Sequence, residues 1–144
     1  MWADTLLALE RGHLLRLALW AGASVLAGTM LLAWLTVRRT DAPLLRHFAI
    51  QTAAWGAVDG LICLWAGRDL VLRDYAGAQR LLNVLWLNLG LDAGYIAVGA
   101  TLLLTAWRWG SRHGGMGAGI GIIVQGLALL LLDLRLLATI GPMQ

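Results

Sequence analysis

The chain has 144 residues, is 60% hydrophobic and only 13% charged, and has a positive mean hydropathy, a balance that a water-soluble domain of this size has too little interior to hide. Its formal charge of +3 comes from eleven arginines and no lysine, spread over segment ends and loops, which argues against a nucleic-acid surface and fits side chains snorkelling to lipid headgroups. The single cysteine, Cys63, lies in an apolar run and excludes an intrachain disulfide, a cysteine zinc site and a two-cysteine redox motif.

At the N-terminus Asp4, Glu10, Arg11, His13 and Arg16 interrupt the apolar residues and no small-residue cleavage site follows a short apolar core, so a cleaved signal peptide is not expected. A helix needs about 20 apolar residues to cross the hydrocarbon. Four stretches qualify, approximately residues 14–37, 44–66, 81–107 and 116–139. The predicted architecture is therefore all-α, an integral membrane bundle of four transmembrane helices in a single domain spanning residues 1–144, with both termini on one side.

Pro43 suits the first turn of the second helix, with Thr40 or Asp41 as its expected cap. Gly110 to Gly115 is expected to break the chain before the fourth. Trp34, Trp107 and Trp109 fall at one interface and Trp65 near the other, as amphipathic rings prefer, and Trp2 is expected to anchor the N-terminus. Trp20, Trp55 and Trp86 lie deeper and read as packing. Arginines are balanced between the two ends, so the positive-inside rule favours neither orientation.

Small residues recur at helix-contact spacing in Ser24/Gly28, Gly56/Gly60, Gly90/Gly94, Gly115/Gly119 and Gly117/Gly121, which lets backbones approach closely within one chain or against a partner. The run from Gly114 to Gly121 lacks both the dinucleotide spacing and the GK[ST] ending of a phosphate loop.

Polar residues inside the spans are the informative ones: Gln51 and Asp59 in the second, Asn88, Asp92 and Tyr95 in the third, Gln125 and Asp133 in the fourth. Their separations place each set on one helical face. Counting from each midpoint puts Asp59, Asn88, Asp92 and Asp133 at one level and Gln51, Tyr95 and Gln125 at the next, so the three helices are expected to meet along this seam. A carboxylate facing lipid costs on the order of 3 kcal/mol on insertion scales. The seam should therefore point inward, protonated, paired or bound, with Arg16 and Arg135 at the right level to neutralise two aspartates. Carboxyl and amide groups also serve as plain interhelical glue at about 0.6–2 kcal/mol each, so the seam is a candidate site for structure or for a proton or ligand.

His13 and His47 open spans at opposite ends and do not share a haem, and His113, at the end with His47, lies in a glycine-rich turn. No metal or other cofactor is expected. Ser24 and Ser111 have no histidine and carboxylate at a matching level, and no HExxH occurs, so no catalytic residues and no enzyme are expected. The spacing from Gln51 to Asp59 equals that from Gln125 to Asp133, a hint of duplicated hairpins, yet Asn88 and Asp92 have no counterparts in the first helix.

The run Asn88-Leu89-Gly90-Leu91-Asp92-Ala93-Gly94-Tyr95, the glycine-rich turn, Gln125-Gly126 and Asp133 resemble a family of short bacterial four-helix integral membrane proteins of unassigned function. The likeness runs mainly over residues 85–135, with a similar stretch around Trp55. It implies a fold and a bacterial inner (cytoplasmic) membrane, and no chemistry.

Two functions fit. The first is a non-enzymatic accessory or structural subunit of a larger membrane complex, of the respiratory or photosynthetic kind, held together by the seam and partnered by lipid and other membrane subunits or by copies of itself. The second is a small carrier, channel or sensor that binds a proton, cation or polar ligand at Asp59, Asp92 and Asp133 while Gln51, Asn88, Tyr95 and Gln125 orient it.

Overall fold

The computed structural model describes residues 2–141. Four helices follow in order, α1 (Trp2–Val37), α2 (Pro43–Ala66), α3 (Tyr75–Arg108) and α4 (His113–Ile140), with one 3-10 turn at Gly67–Asp69 between α2 and α3. All four are long and apolar enough to cross a membrane, because their runs of Leu, Ala, Val and Ile are unbroken by an internal proline.

The helix ends follow local chemistry. Pro43 occupies the first turn of α2, but the capping residue is Ala42 and no side chain bonds the orphan N–H groups, so the caps expected from Thr40 or Asp41 are not made. Asp74 caps α3 by accepting from the Gly77 N–H at 2.7 Å. The break before α4 falls earlier than Gly110 to Gly115 implied, since Gly114 and Gly115 are already helical. Left-handed backbone turns the chain at Arg39 in the first hairpin loop and at Gly110 and Ser111 in the second. α1 and α3 also begin well before residues 14 and 81, and that extension carries Glu10 and His13 into the bundle.

The topology is two helical hairpins, α1–α2 and α3–α4, joined through contact of α2 with α4, while α1 reaches α4 more sparingly. α4 lies centrally with α2 and α3 flanking it, and where α2 and α3 meet along the seam it is through side chains such as Trp55 and Tyr95. At one end Leu6 of α1, Ala78, Leu82 and Leu85 of α3, and Leu136 and Ile140 of α4 form an apolar core, with Trp2 packed on it. The beginning of α1 and the end of α4 therefore share this end, called here the terminal end.

The hairpins repeat each other in packing detail. A Cβ on Gly28 would meet Ala49 O and Ala53 N at 2.6 Å, and one on Gly99 would meet Gly119 O at 2.9 Å and Ile123 N at 3.0 Å. Gly56 lies in the same way against Ala21 O and Val25 N, and Gly126 against Asp92 O and Ile96 N. Hence Ala21, Val25 and Gly28 correspond to Asp92, Ile96 and Gly99, and Ala49, Ala53 and Gly56 to Gly119, Ile123 and Gly126. The α2–α4 contact obeys the same correspondence. A Cβ on Gly117 would collide with the Leu44 carbonyl, and one on Gly114 would meet the His47 ring; exchanging the hairpins turns the first contact into the second. Gln51 against Gly121 maps onto itself. The chain is thus two similar hairpins about a pseudo-twofold axis that runs along the bundle between α2 and α4. Gln51 is equivalent to Gly121 and not to Gln125, so the matched Gln–Asp spacing is a coincidence. The duplication resides in the glycine contacts.

Candidate functional site

The buried face of α1 runs Leu6, Glu10, His13, Leu17, Ala21, Ser24 and Gly28, a spacing of three and four residues that makes one stripe. On α2 the stripe carries Thr52, Gly56 and Asp59. α3 contributes Leu89 and Asp92, and α4 contributes Gln125 and Asp133. Asp59, Asp92, Gln125 and Asp133 are all buried, with Asp59 only 1% exposed. Gln51 and Asn88 are half-buried, and Tyr95 is partly open at 37%.

Two polar layers result. In the layer away from the terminal end, Gln125 Nε2 donates to Ser24 Oγ at 3.1 Å and its Oε1 accepts from Trp20 Nε1 at 2.7 Å. Both ends of the amide are used to join α1 to α4. The equivalent positions in the other half are Trp55 and Tyr95, whose rings meet edge to face with centroids 4.8 Å apart. One cross-hairpin bridge is polar and its counterpart aromatic.

The second layer holds the carboxylates. His13 Nε2 of α1 lies 3.3 Å from Asp133 Oδ1 of α4, the Asn88 amide lies beside Asp133, and Asp92 is near enough to Asp133 and Asp59 to feel both charges. Asp59 Oδ2, Asp92 Oδ2 and His13 Nδ1 have no hydrogen-bond partner among the described residues. Neither Arg16 nor Arg135 forms an ion pair with an aspartate among them. Arg16, half-buried and with its Nε also buried and without a hydrogen-bond partner among the described residues, folds back beside Gly12, while Arg135 is exposed.

Closer to the terminal end, Arg73, in the link between the 3-10 turn and α3, makes a bidentate pair with buried Glu10, Nε to Oε1 at 2.7 Å and the terminal nitrogen to Oε2 at 2.9 Å. Hydrogen bonds donated to Glu10 hold the Arg73 guanidinium pKa above its ordinary value, against the opposing effect of burial. Reading the spans from residue 14 placed His13 and Glu10 at the bilayer edge and missed them, along with Ser24, Trp20 and Arg73. The signal was present in their register with Leu6, Leu17 and Ala21.

The repeat supplies an internal comparison. Extended along the uninterrupted helices, its register pairs His13 with Val84, Asn88 with Leu17, Asp59 with Leu129, Asp92 with Ala21 and Asp133 with Cys63. Every member of the carboxylate layer thus has an apolar counterpart that the same scaffold accommodates.

The chain belongs to a family of unknown function, DUF6992, matched over residues 16–134. No curated protein and no solved structure matches it.

Proposed function

We propose that this chain is a non-enzymatic protein of the bacterial inner membrane whose interior carboxylate layer binds and releases a proton. The carrying observation is the pair of buried, unpartnered oxygens, Asp59 Oδ2 and Asp92 Oδ2, in a layer of three aspartates faced by one histidine. Even with His13 protonated and the half-buried Arg16 guanidinium beside it, three ionised carboxylates would leave negative charge in the interior of the bundle, and the least costly way to cancel it is to take up protons. The apolar counterparts in the other hairpin support this reading over simple glue, since the fold does not need polarity at those positions.

Infrared difference spectroscopy during a pH change, on protein in liposomes, tests the proposal. A protonated carboxyl band that titrates in the wild type and is lost in Asp92→Asn is expected. A silent carboxyl region in the wild type would overturn it, and titration replaced by saturable binding of an added monovalent cation would shift the ligand from proton to cation.

A second reading, as an accessory subunit of a larger membrane complex, is favoured by one observation. Gly90 and Gly94 on α3 have nothing within 4 Å of a Cβ and face away from the bundle, leaving a smooth helix face for another transmembrane segment. Mass analysis after mild extraction distinguishes the two, a defined heteromeric complex supporting this reading.

A further inference from the structure

An outward-facing groove of about 760 Å³ runs between α1 and α2, and every side chain lining it is aliphatic, glycine or Cys63. It does not arise from splayed helices, since α1 and α2 make the same close glycine contacts as α3 and α4. It arises from missing side-chain volume. The helical lining residues Ala18, Gly22, Val25, Ala57 and Gly60 correspond to Leu89, Ala93, Ile96, Leu127 and Leu130 in the second hairpin, each larger, with Leu26 against Ala97 the one lining pair that runs the other way. The first hairpin is hollowed where the second is filled.

Length and charge identify what fits. Along α1 the groove extends from Leu14 to Leu26, about 18 Å at the helical rise, close to the roughly 15 Å depth of one leaflet of hydrocarbon. Its mouth, at Gly67 and Leu70, opens at the terminal end beside the exposed Arg68, and exposed Arg11 lies one turn before Leu15 on α1. The acidic neighbour on that turn, Asp69, is engaged electrostatically with Arg73. An apolar channel one leaflet deep under two guanidinium groups matches an anionic phospholipid, with the phosphate at the arginines and one acyl chain in the groove. The glycines let the chain lie against backbone and gain van der Waals contact on both walls that a neighbouring lipid does not offer.

We infer that the α1–α2 groove is a binding site for one acyl chain of an anionic phospholipid from the leaflet at the terminal end. This rests on the chain lying in a bilayer and is independent of the proton reading. The test is native mass spectrometry in mild detergent with added phosphatidylglycerol or phosphatidylcholine, comparing wild type with Ala18→Leu/Gly60→Leu, which installs the residues of the other hairpin. No heavy atom lies closer than 4.0 Å to a Cβ on Gly60, so the helices need not move.

Wild type should retain phosphatidylglycerol in preference to phosphatidylcholine, the double variant should retain at least about fivefold less, and Arg11→Gln/Arg68→Gln should lose the preference while still binding lipid. Equal retention by wild type and the filled variant, or no headgroup preference, overturns the site. So does a wild-type dimer that the filled variant abolishes, which would assign the groove to a second copy. Phosphatidylglycerol with a photoactivatable acyl chain serves without any variant: crosslinks should map to α1 and α2 facing the groove, and crosslinks spread evenly over all four helices overturn the site. Release of the protein from membranes by alkaline carbonate would instead remove the bilayer premise.

Discussion

Gly117 of α4 lies directly beneath the backbone carbonyl of Leu44 in α2, so close that any Cβ there would occupy the space of the oxygen. Because neither helix can shift without breaking the Gln51–Gly121 contact a turn further on, Gly117→Ala is expected to destabilise the bundle by about 1–3 kcal/mol, the range for overpacking a filled interior. Gly94→Ala, with open space around its Cβ, should stay within about 0.5 kcal/mol or gain slightly from helix propensity. Thermal unfolding in detergent compares the two directly, and equal effects would contradict the packing described.

Asp92 separates proton chemistry from adhesion. Asp92→Asn preserves shape and hydrogen-bonding capacity, so it should change stability by no more than about 1–2 kcal/mol while abolishing the titrating carboxyl signal. Asp92→Leu should cost more, since it forces a larger branched side chain into a buried position of the bundle. Converting the whole layer, Asp59, Asp92, Asp133, His13 and Asn88, to the counterparts Leu, Ala, Cys, Val and Leu should give a protein about as stable as the wild type, because no polar group of the layer is left stranded. Unfolding of that fivefold variant would favour a structural role for the layer.

The Glu10–Arg73 pair is asymmetric in burial, with 6% side-chain exposure for Glu10 and 24% for Arg73. Arg73→Met leaves a buried carboxylate and should cost about 3–5 kcal/mol. Glu10→Leu leaves a guanidinium that can turn to water and should cost less, about 1.5–3 kcal/mol. A double-mutant cycle read by chemical denaturation should show the double variant recovering part of the Arg73→Met loss.

Arg39 adopts a left-handed backbone, φ 49°, where the corresponding loop carries Gly110 at φ 85°. Arg39→Gly copies the second hairpin into the first and is expected to stabilise by about 1 kcal/mol, measured as a raised melting temperature. A destabilisation would mean that the Arg39 side chain contributes more than its backbone costs.

Hydropathy alone revealed four helices of spanning length, because a run of about 20 apolar residues has few alternatives. It did not reveal which helix is central. The polar residues of α2, α3 and α4 pointed to one seam shared by those three, but it is the glycines of α4 at positions 117, 119, 121 and 126 that let this helix alone approach both α2 and α3 closely. The sequence places His13 at a span end because a polar residue at the start of an apolar run reads as interfacial, and only the length of α1 brings it opposite Asp133. The repeat was legible in principle from Gly28, Gly56, Gly99 and Gly126. Polar spacing concealed it, since the carboxylate layer is the part in which the two halves differ.

The Glu10–Arg73 link also bears on the order in which the protein is made. Arg73 lies in the link that follows the first hairpin, and there it pairs with a buried group of α1. The hairpin can be clamped at that point, with its own glycine contacts complete, while Asp59 and His13 still await α3 and α4. A first hairpin inserted alone in a bilayer would expose one acid and one imidazole to lipid, and the arrival of the second hairpin would remove that penalty. A cell short of the second half, through truncation or stalled translation, would hold a marked substrate for membrane quality control.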